Sequence, residues 1–144
     1  MKNVLVPIDD SKDLQWTINH VISMYRQDPV RIHLLNVQPM LPQDISRFFN
    51  KGEVRDFHRD NGMLALKPAI EMLDQAQVPY RNHVAVGRKA EVIVHFAKEH
   101  QCSQIVIAKR GEGLLGSLGL GTIASQIRHL IGAGDNVCDV CEVC

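Results

Sequence analysis

The stretch Ile105-Val106-Ile107-Ala108-Lys109-Arg110-Gly111-Glu112-Gly113-Leu114-Leu115-Gly116-Ser117-Leu118-Gly119-Leu120-Gly121-Thr122 reads as a buried strand, a glycine-rich loop and the opening of a helix. A short continuous apolar run begins it, as a parallel strand covered on both faces requires. Five of the ten glycines then fall within eleven positions, 111–121. Glycine lets the backbone approach a ligand closely and adopt positive φ. Ile123, Ile127, Leu130 and Ile131 follow at the spacing of one helical face, and Gly132 and Gly134 stop that helix. At its start, Gly121-Thr122, unpaired N–H groups and the helix dipole favour an anion, so the loop is read as a phosphate site. The Thr122 hydroxyl, with Ser125 behind it, can add a donor or reach a metal.

The same alternation of strand and helix runs through the whole chain. Val4 to Ile8 is a near-continuous apolar strand, and the polar break Asp9-Asp10-Ser11 follows. Leu14, Ile18, Val21, Ile22 and Tyr25 then mark one helical face, which Asp10 or Ser11 can cap. Arg31 to Val37 is a second strand. Residues 38–53 hold Pro39, Pro42 and Gly52 and read as a loop. Residues 54–77 are helical in composition, with Pro68 expected to start, kink or end a helix. Tyr80 to Val86 is a third strand, Ile93, Phe96, Ala97 and His100 mark another helix, and Val137 to Val143 is a candidate fifth strand. Alternating β and α predicts a parallel sheet with helices on both faces. The expected fold is one doubly wound, Rossmann-like α/β domain over residues 1–144, strand order 3-2-1-4-5. Ligands of such sheets bind at the carboxyl ends of strands where the winding reverses. In that order the reversal lies between strands one and four, so Asp9 meets Ala108 to Gly111.

Composition narrows the function. The 144 residues carry 16 basic and 16 acidic groups, which argues against a nucleic-acid binder. No apolar run is long enough to cross a membrane, and the N-terminus is too short for a signal peptide, so a cytoplasmic protein is expected. Cys102, Cys138, Cys141 and Cys144 are then read as reduced. The tail spacing Cys138-x-x-Cys141-x-x-Cys144 lacks a fourth ligand for a cluster, and thiol chemistry there has no base nearby in sequence. His33 and His83 are expected as packed or edge residues of strands, and His58, His95, His100 and His129 on helix surfaces or ends. Lys109 and Arg110 are expected to be solvated rather than on a phosphate. Of Asp9 and Asp10, one is expected to face the cleft and the other to cap the helix.

Two motifs match in form only. Gly111-x-Gly113-x-x-Gly116 has dinucleotide-fingerprint spacing, but it follows the fourth strand rather than the first. Gly116-x4-Gly121-Thr122 has the outline of a P-loop without its Lys, so no side-chain cation sits on the β/γ-phosphates. No nucleophile–base arrangement is visible, so a binding protein is favoured over an enzyme.

A third pattern fits better. Ala108-x2-Gly111-x9-Gly121-Thr122 resembles the Gly-x2-Gly-x9-Gly-Ser/Thr signature of the nucleotide-binding universal stress proteins. Val4 to Ser11 resembles that family's opening strand with its Pro-x-Asp-x-Ser motif. His33 to Val37, Val86-Gly87-x2-Ala90-x2-Ile93 and Ile127-Arg128-His129 resemble its second strand, the turn into its third helix and the end of its last helix. The chain departs from the family at Ala108, where the signature has glycine, and in its cysteine-bearing tail, which bears on the dimer mode.

The resemblance implies a homodimeric, cytoplasmic stress-response protein that binds ATP or AMP with Mg²⁺ and acts as a sensor or regulator, with an unidentified protein partner. Asp9 would bind the ribose, Pro7 and Ile8 would line adenine, and Val37 would meet adenine through its backbone. Ala108 and Gly111 would flank ribose and phosphates. Gly121, Thr122 and Ile123 would hold the phosphates, and Mg²⁺ would sit among the phosphate oxygens rather than on protein side chains. The alternatives are a nucleotide-free dimeric scaffold and a slow Mg²⁺-dependent ATPase or phosphotransferase.

Overall fold

The computed structural model describes residues 1–9, 13–108, 123–132 and 138–143. Five strands form one parallel sheet in the order β3-β2-β1-β4-β5, as the sequence predicts. The strands are β1 (Asn3–Pro7), β2 (Arg31–Gln38), β3 (Arg81–Val86), β4 (Cys102–Ala108) and β5 (Asp139–Val143). The helices are α1 (Leu14–Gln27), α2 (Gln43–Ser46), α3 (Lys51–Gln75), α4 (Lys89–Glu99) and α5 (Ile123–Gly132).

The continuous apolar runs are explained by burial on both faces. Val4 and Val6 of β1, Ile32 and Leu34 of β2 and Val106 of β4 face a core closed by Ile18 and Val21 of α1 and Leu66 and Leu73 of α3. The alternate residues Leu5, Leu35, Ile105 and Ile107 face a second core closed by Ile93 and Phe96 of α4 and Ile127 of α5. A one-residue slip of any inner strand would exchange these two sets of side chains.

The candidate fifth strand exists. It pairs in parallel with β4 from Gln104↔Asp139 to Ala108↔Val143. Its side chains, with that of Cys138 just before it, divide between the cores, Cys138 and Val140 on one and Cys141 and Val143 on the other. Arg128 ties α5 to it, with an ion pair to Glu142 at 2.7 Å and a hydrogen bond to the Val140 carbonyl at 3.4 Å.

The segment 38–53 differs most from its sequence reading. It contains α2, and α3 already begins at Lys51. The cause is a capping box: Glu53 N–H donates to Asn50 Oδ1 (2.8 Å), and Asn50 N–H donates to Glu53 Oε1 (3.2 Å). Pro68 lies inside α3, which continues through it. A helical proline leaves the carbonyl four residues earlier without its donor. That residue, Leu64, is 66% exposed, so water can serve the carbonyl. At the start of α1 the N-cap is Asp13, while Asp10 and Ser11, expected as caps, lie outside the described residues.

α3 approaches the sheet closely at Gly62, where an added Cβ would stand 2.5 Å from Val84 Cγ1. Gly62→Ala is therefore expected to destabilise the protein by about 1–3 kcal/mol through overpacking. Val84→Ala in the same chain should recover part of that loss, as measured by urea denaturation of the single and double variants.

Candidate functional site

The reversal of winding falls between β1 and β4. α1 and α3 cover one face and α4 and α5 the other, so the carboxyl ends of β1 and β4 are flanked by connections that leave in opposite directions. Pro7 ends β1, and Ile8 and Asp9 follow it. Ala108 ends β4, and Val37 stands one residue before the end of β2. Ile123 opens α5. The structure thus gathers Pro7, Ile8, Asp9, Val37 and Ala108 at one end of the sheet. Gly111, Gly121 and Thr122 lie outside the described residues, as do Asp10, Lys109 and Arg110.

The end of β1 is fixed by its neighbours. Ile8 N–H donates to the Leu35 carbonyl at 2.8 Å, extending the ladder past Pro7. The buried Asn36 side chain donates to the Ile8 carbonyl at 2.8 Å, at the point where the ladder would next engage Val37. Gln38 Nε2 donates to Asn36 Oδ1 at 2.6 Å and fixes the orientation of that amide. The sequence reading passed over Asn36 and Gln38. The available signal was a polar Asn inside the apolar run of β2, since a buried amide must find partners.

Asp9 does not stand alone. Lys89, the first residue of α4, places its Nζ 2.6 Å from Asp9 Oδ2, with both side chains about 30% exposed. Eighty residues separate the two in sequence, so sequence reading missed Lys89. Gly87 sets its position. At φ +148° only glycine sits without strain, and an added Cβ would lie 2.8 Å from Val92 Cγ2. Gly87 N–H donates to the Gln38 carbonyl at 3.0 Å, which anchors the turn into α4 beside the end of β2.

A cleft of about 550 Å³ lies between α4 and α5, lined by Arg88, Lys89 and Glu91 on one side and Ile123, Ser125 and His129 on the other. None of Pro7, Ile8, Asp9, Val37 and Ala108 lines this cleft; it is linked to them through Lys89, whose ammonium reaches Asp9.

The cysteines and histidines resolve differently from one another. Cys138 and Cys141 point to opposite faces of β5, so they cannot hold one metal ion together. Cys144 lies outside the described residues. Burial, and then neighbouring Cys138, push the Cys102 thiol up to about 11. Burial and Asp139 raise Cys138 as well, so both remain protonated thiols at neutral pH. Cys141 has a histidine beside it that sequence proximity did not supply: His20 Nε2, on α1, is 3.7 Å from its sulfur.

His33 and His83 are packed as expected, but at the amino ends of the strands, away from Asp9. His33 Nδ1 and His83 Nε2 are 3.1 Å apart, and His33 Nε2 is 3.1 Å from Asn3 Oδ1. With Asn3 Oδ1 accepting from His33 Nε2–H, the His33 Nδ1 lone pair is left to accept from His83, an assignment made from the bonding pattern. His100 caps α4 and stacks on Phe96 at 3.9 Å beside them. Among the described residues no group of three His, Cys, Asp or Glu is placed to hold a metal ion. His58, expected on a helix surface or end, is instead buried on the inner side of α3, and its Nδ1 has no hydrogen-bond partner among the described residues.

The fold and this end of the sheet define a doubly wound α/β protein whose candidate ligand site lies where the winding reverses. A sequence model of the universal stress protein family matches residues 1–131, and the chain belongs to that family. Its fold is similar to a universal stress protein crystallised with cAMP, with TM-score 0.75, 17% identity, and 99% of this chain and 97% of that one covered. It is similar to the universal stress protein UspA from Lactobacillus plantarum, with TM-score 0.74, 17% identity, and 99% and 97% of the two chains covered. A universal stress protein from Archaeoglobus fulgidus in complex with dAMP matches with TM-score 0.68 and 14% identity, over 100% of this chain and 98% of that one.

The histidine group generates a pH prediction. Burial, with His83 and His100 beside it, lowers the His33 pKa from 6.5 to about 4. Its folded value is below its unfolded value, so the stabilising contribution is complete above pH 6.5 and is lost as pH falls towards 4. His83 is lowered in the same direction, also by burial first. The wild type should lose up to about 3 kcal/mol between pH 6.5 and 4 from His33 alone. His33→Gln, which cannot titrate, should show a flatter profile in urea denaturation across that range.

Proposed function

We propose that this chain binds an adenine nucleotide at the carboxyl ends of β1 and β4 and acts as a nucleotide-dependent regulator in a stress response. The observation that carries the reading is the position of Asp9: a partly exposed carboxylate at the point where the winding reverses, one residue past the ladder of β1. A carboxylate accepts from two hydroxyls at once, which suits a ribose. Parallel-ladder alternation directs the backbone groups of Val37 to the β1 side, beyond Pro7↔Leu35, the last β1–β2 register pair, where they can read the edge of a base. Pro7 and Ile8 supply the apolar wall for adenine. Ala108 and Gly111 flank ribose and phosphates, and Gly121, Thr122 and Ile123 hold the phosphates at the start of α5. Mg²⁺ is assigned to the phosphate oxygens. The complexes with cAMP and dAMP of two proteins of similar fold support the choice of an adenine nucleotide.

On this reading residues 1–144 act as one binding domain within a cytoplasmic homodimer. β5 stands at the edge of the sheet, where a second copy can add, and no described helix is long and apolar enough to cross a membrane. Nucleotide state would regulate by binding two conformations unequally, since a ligand shifts only an equilibrium whose states it distinguishes. Any hydrolysis would be slow, because no catalytic base is assigned to the site.

Calorimetric titration with ATP and AMP in the presence of Mg²⁺ tests the proposal. Micromolar binding is expected for the wild type. Asp9→Asn, losing a charge-assisted hydrogen bond, should bind about 10- to 100-fold more weakly. Flat titrations of the wild type with both nucleotides, or unchanged affinity in Asp9→Asn, would refute it.

A further inference from the structure

The lysine absent from the glycine-rich loop has a counterpart elsewhere in the fold. Lys89 Nζ stands 2.6 Å from Asp9 Oδ2, on the carboxylate assigned to the ribose. The same side chain lines the cleft that Ile123 and Ser125 border, at the start of α5 where the phosphates are assigned. Lys89 therefore reaches the carboxylate of the nucleoside subsite and also lines the cleft at the start of α5. We propose that Lys89 is a latch that makes the site selective for phosphate number: it holds Asp9 in the empty protein and transfers to the ligand's phosphates when a nucleotide binds.

The proposal rests on the nucleotide reading above and follows from competition for one oxygen. A ribose hydroxyl and the lysine ammonium compete for Asp9 Oδ2. A nucleoside without phosphates must displace Lys89 and offers its charge no anionic oxygen in return. A polyphosphate displaces it and then offers it several anionic oxygens. The four-carbon stem of lysine allows that movement, because the ammonium is a point charge on a flexible arm. The starting position is fixed by Gly87, whose positive φ and hydrogen bond to the Gln38 carbonyl place the first residue of α4 beside the end of β2, from where its side chain reaches Asp9. Among the described residues, Lys89 reaches Asp9, whereas the neighbouring cation Arg88 is engaged with Glu91 at 3.7 Å.

The test compares ATP, AMP and adenosine on wild type, Lys89→Met and Lys89→Arg by calorimetry, with thermal unfolding run on each variant. In Lys89→Met, adenosine should bind about two- to fivefold more tightly, because a partly exposed ion pair no longer competes. ATP should bind about tenfold more weakly, because a charged contact to phosphate is lost. AMP should fall between them, and Lys89→Arg should restore the wild-type order. An unchanged ATP-to-adenosine affinity ratio in Lys89→Met would overturn the latch while leaving nucleotide binding intact. An equal loss for ATP and adenosine would also overturn it, as the mark of a structural role. A wild type that binds none of the three ligands would overturn the nucleotide reading and the latch with it.

Discussion

The handedness of parallel crossovers governs this molecule. A strand followed by a helix and a second parallel strand closes almost always in the right-handed sense. A chain that starts in the middle of its sheet, runs outward to β3 and then returns beyond β1 must therefore change the face on which its helices lie. That change separates the two cores and leaves the carboxyl ends of β1 and β4 side by side. Asp9, Ala108 and the opening of α5 owe their proximity to it. So does Lys89, since α4 is the helix that carries the chain back across the sheet.

Polar groups are arranged differently at the two ends of the sheet. At the carboxyl end, Asn36 and Gln38 fix the exit of β1 through short hydrogen bonds, and the Asp9–Lys89 pair stays within reach of water. A pair exposed in this way contributes little to stability, which leaves it open to exchange for a ligand. At the amino end, His33 is almost fully buried and bonded to His83 and Asn3. Such a group stabilises the fold while neutral and opposes it when protonated. The acid sensitivity of the protein and its ligand chemistry are thus placed at opposite ends of the same strands.

The sequence made the sheet legible because buried parallel strands are written as unbroken apolar runs and the covering helices as periodic faces. Even β5, whose apolar residues do not alternate cleanly, follows the rule once both cores are considered, since Cys138 and Cys141 serve different faces. Segment 38–53 was misread because Pro39, Pro42 and Gly52 suggest a loop, whereas the Asn50–Glu53 capping box starts a helix among them. His58 was misplaced because Asp56, Arg59 and Asp60 beside it are charged, and only the stripe it shares with Gly62, Leu66 and Leu73 shows that it faces inward. In the candidate site, Asp9 and Ala108 could be read from strand ends, whereas Pro7, Ile8 and Val37 came only with the resemblance to the family. Lys89 and the Cys141–His20 contact could not be read, because only the fold brings those residues together.

The most direct test of ligand placement is an amide NMR titration of the full chain with ATP and Mg²⁺. The account predicts that the largest shift changes fall on Ile8, Asp9, Val37, Ala108, Lys89 and Ile123. It also predicts that amides around His33 and His83, at the other end of the strands, stay nearly fixed. Saturable changes centred on the amino ends of the strands, or on α2 and the start of α3, would contradict a nucleotide site at the reversal between β1 and β4.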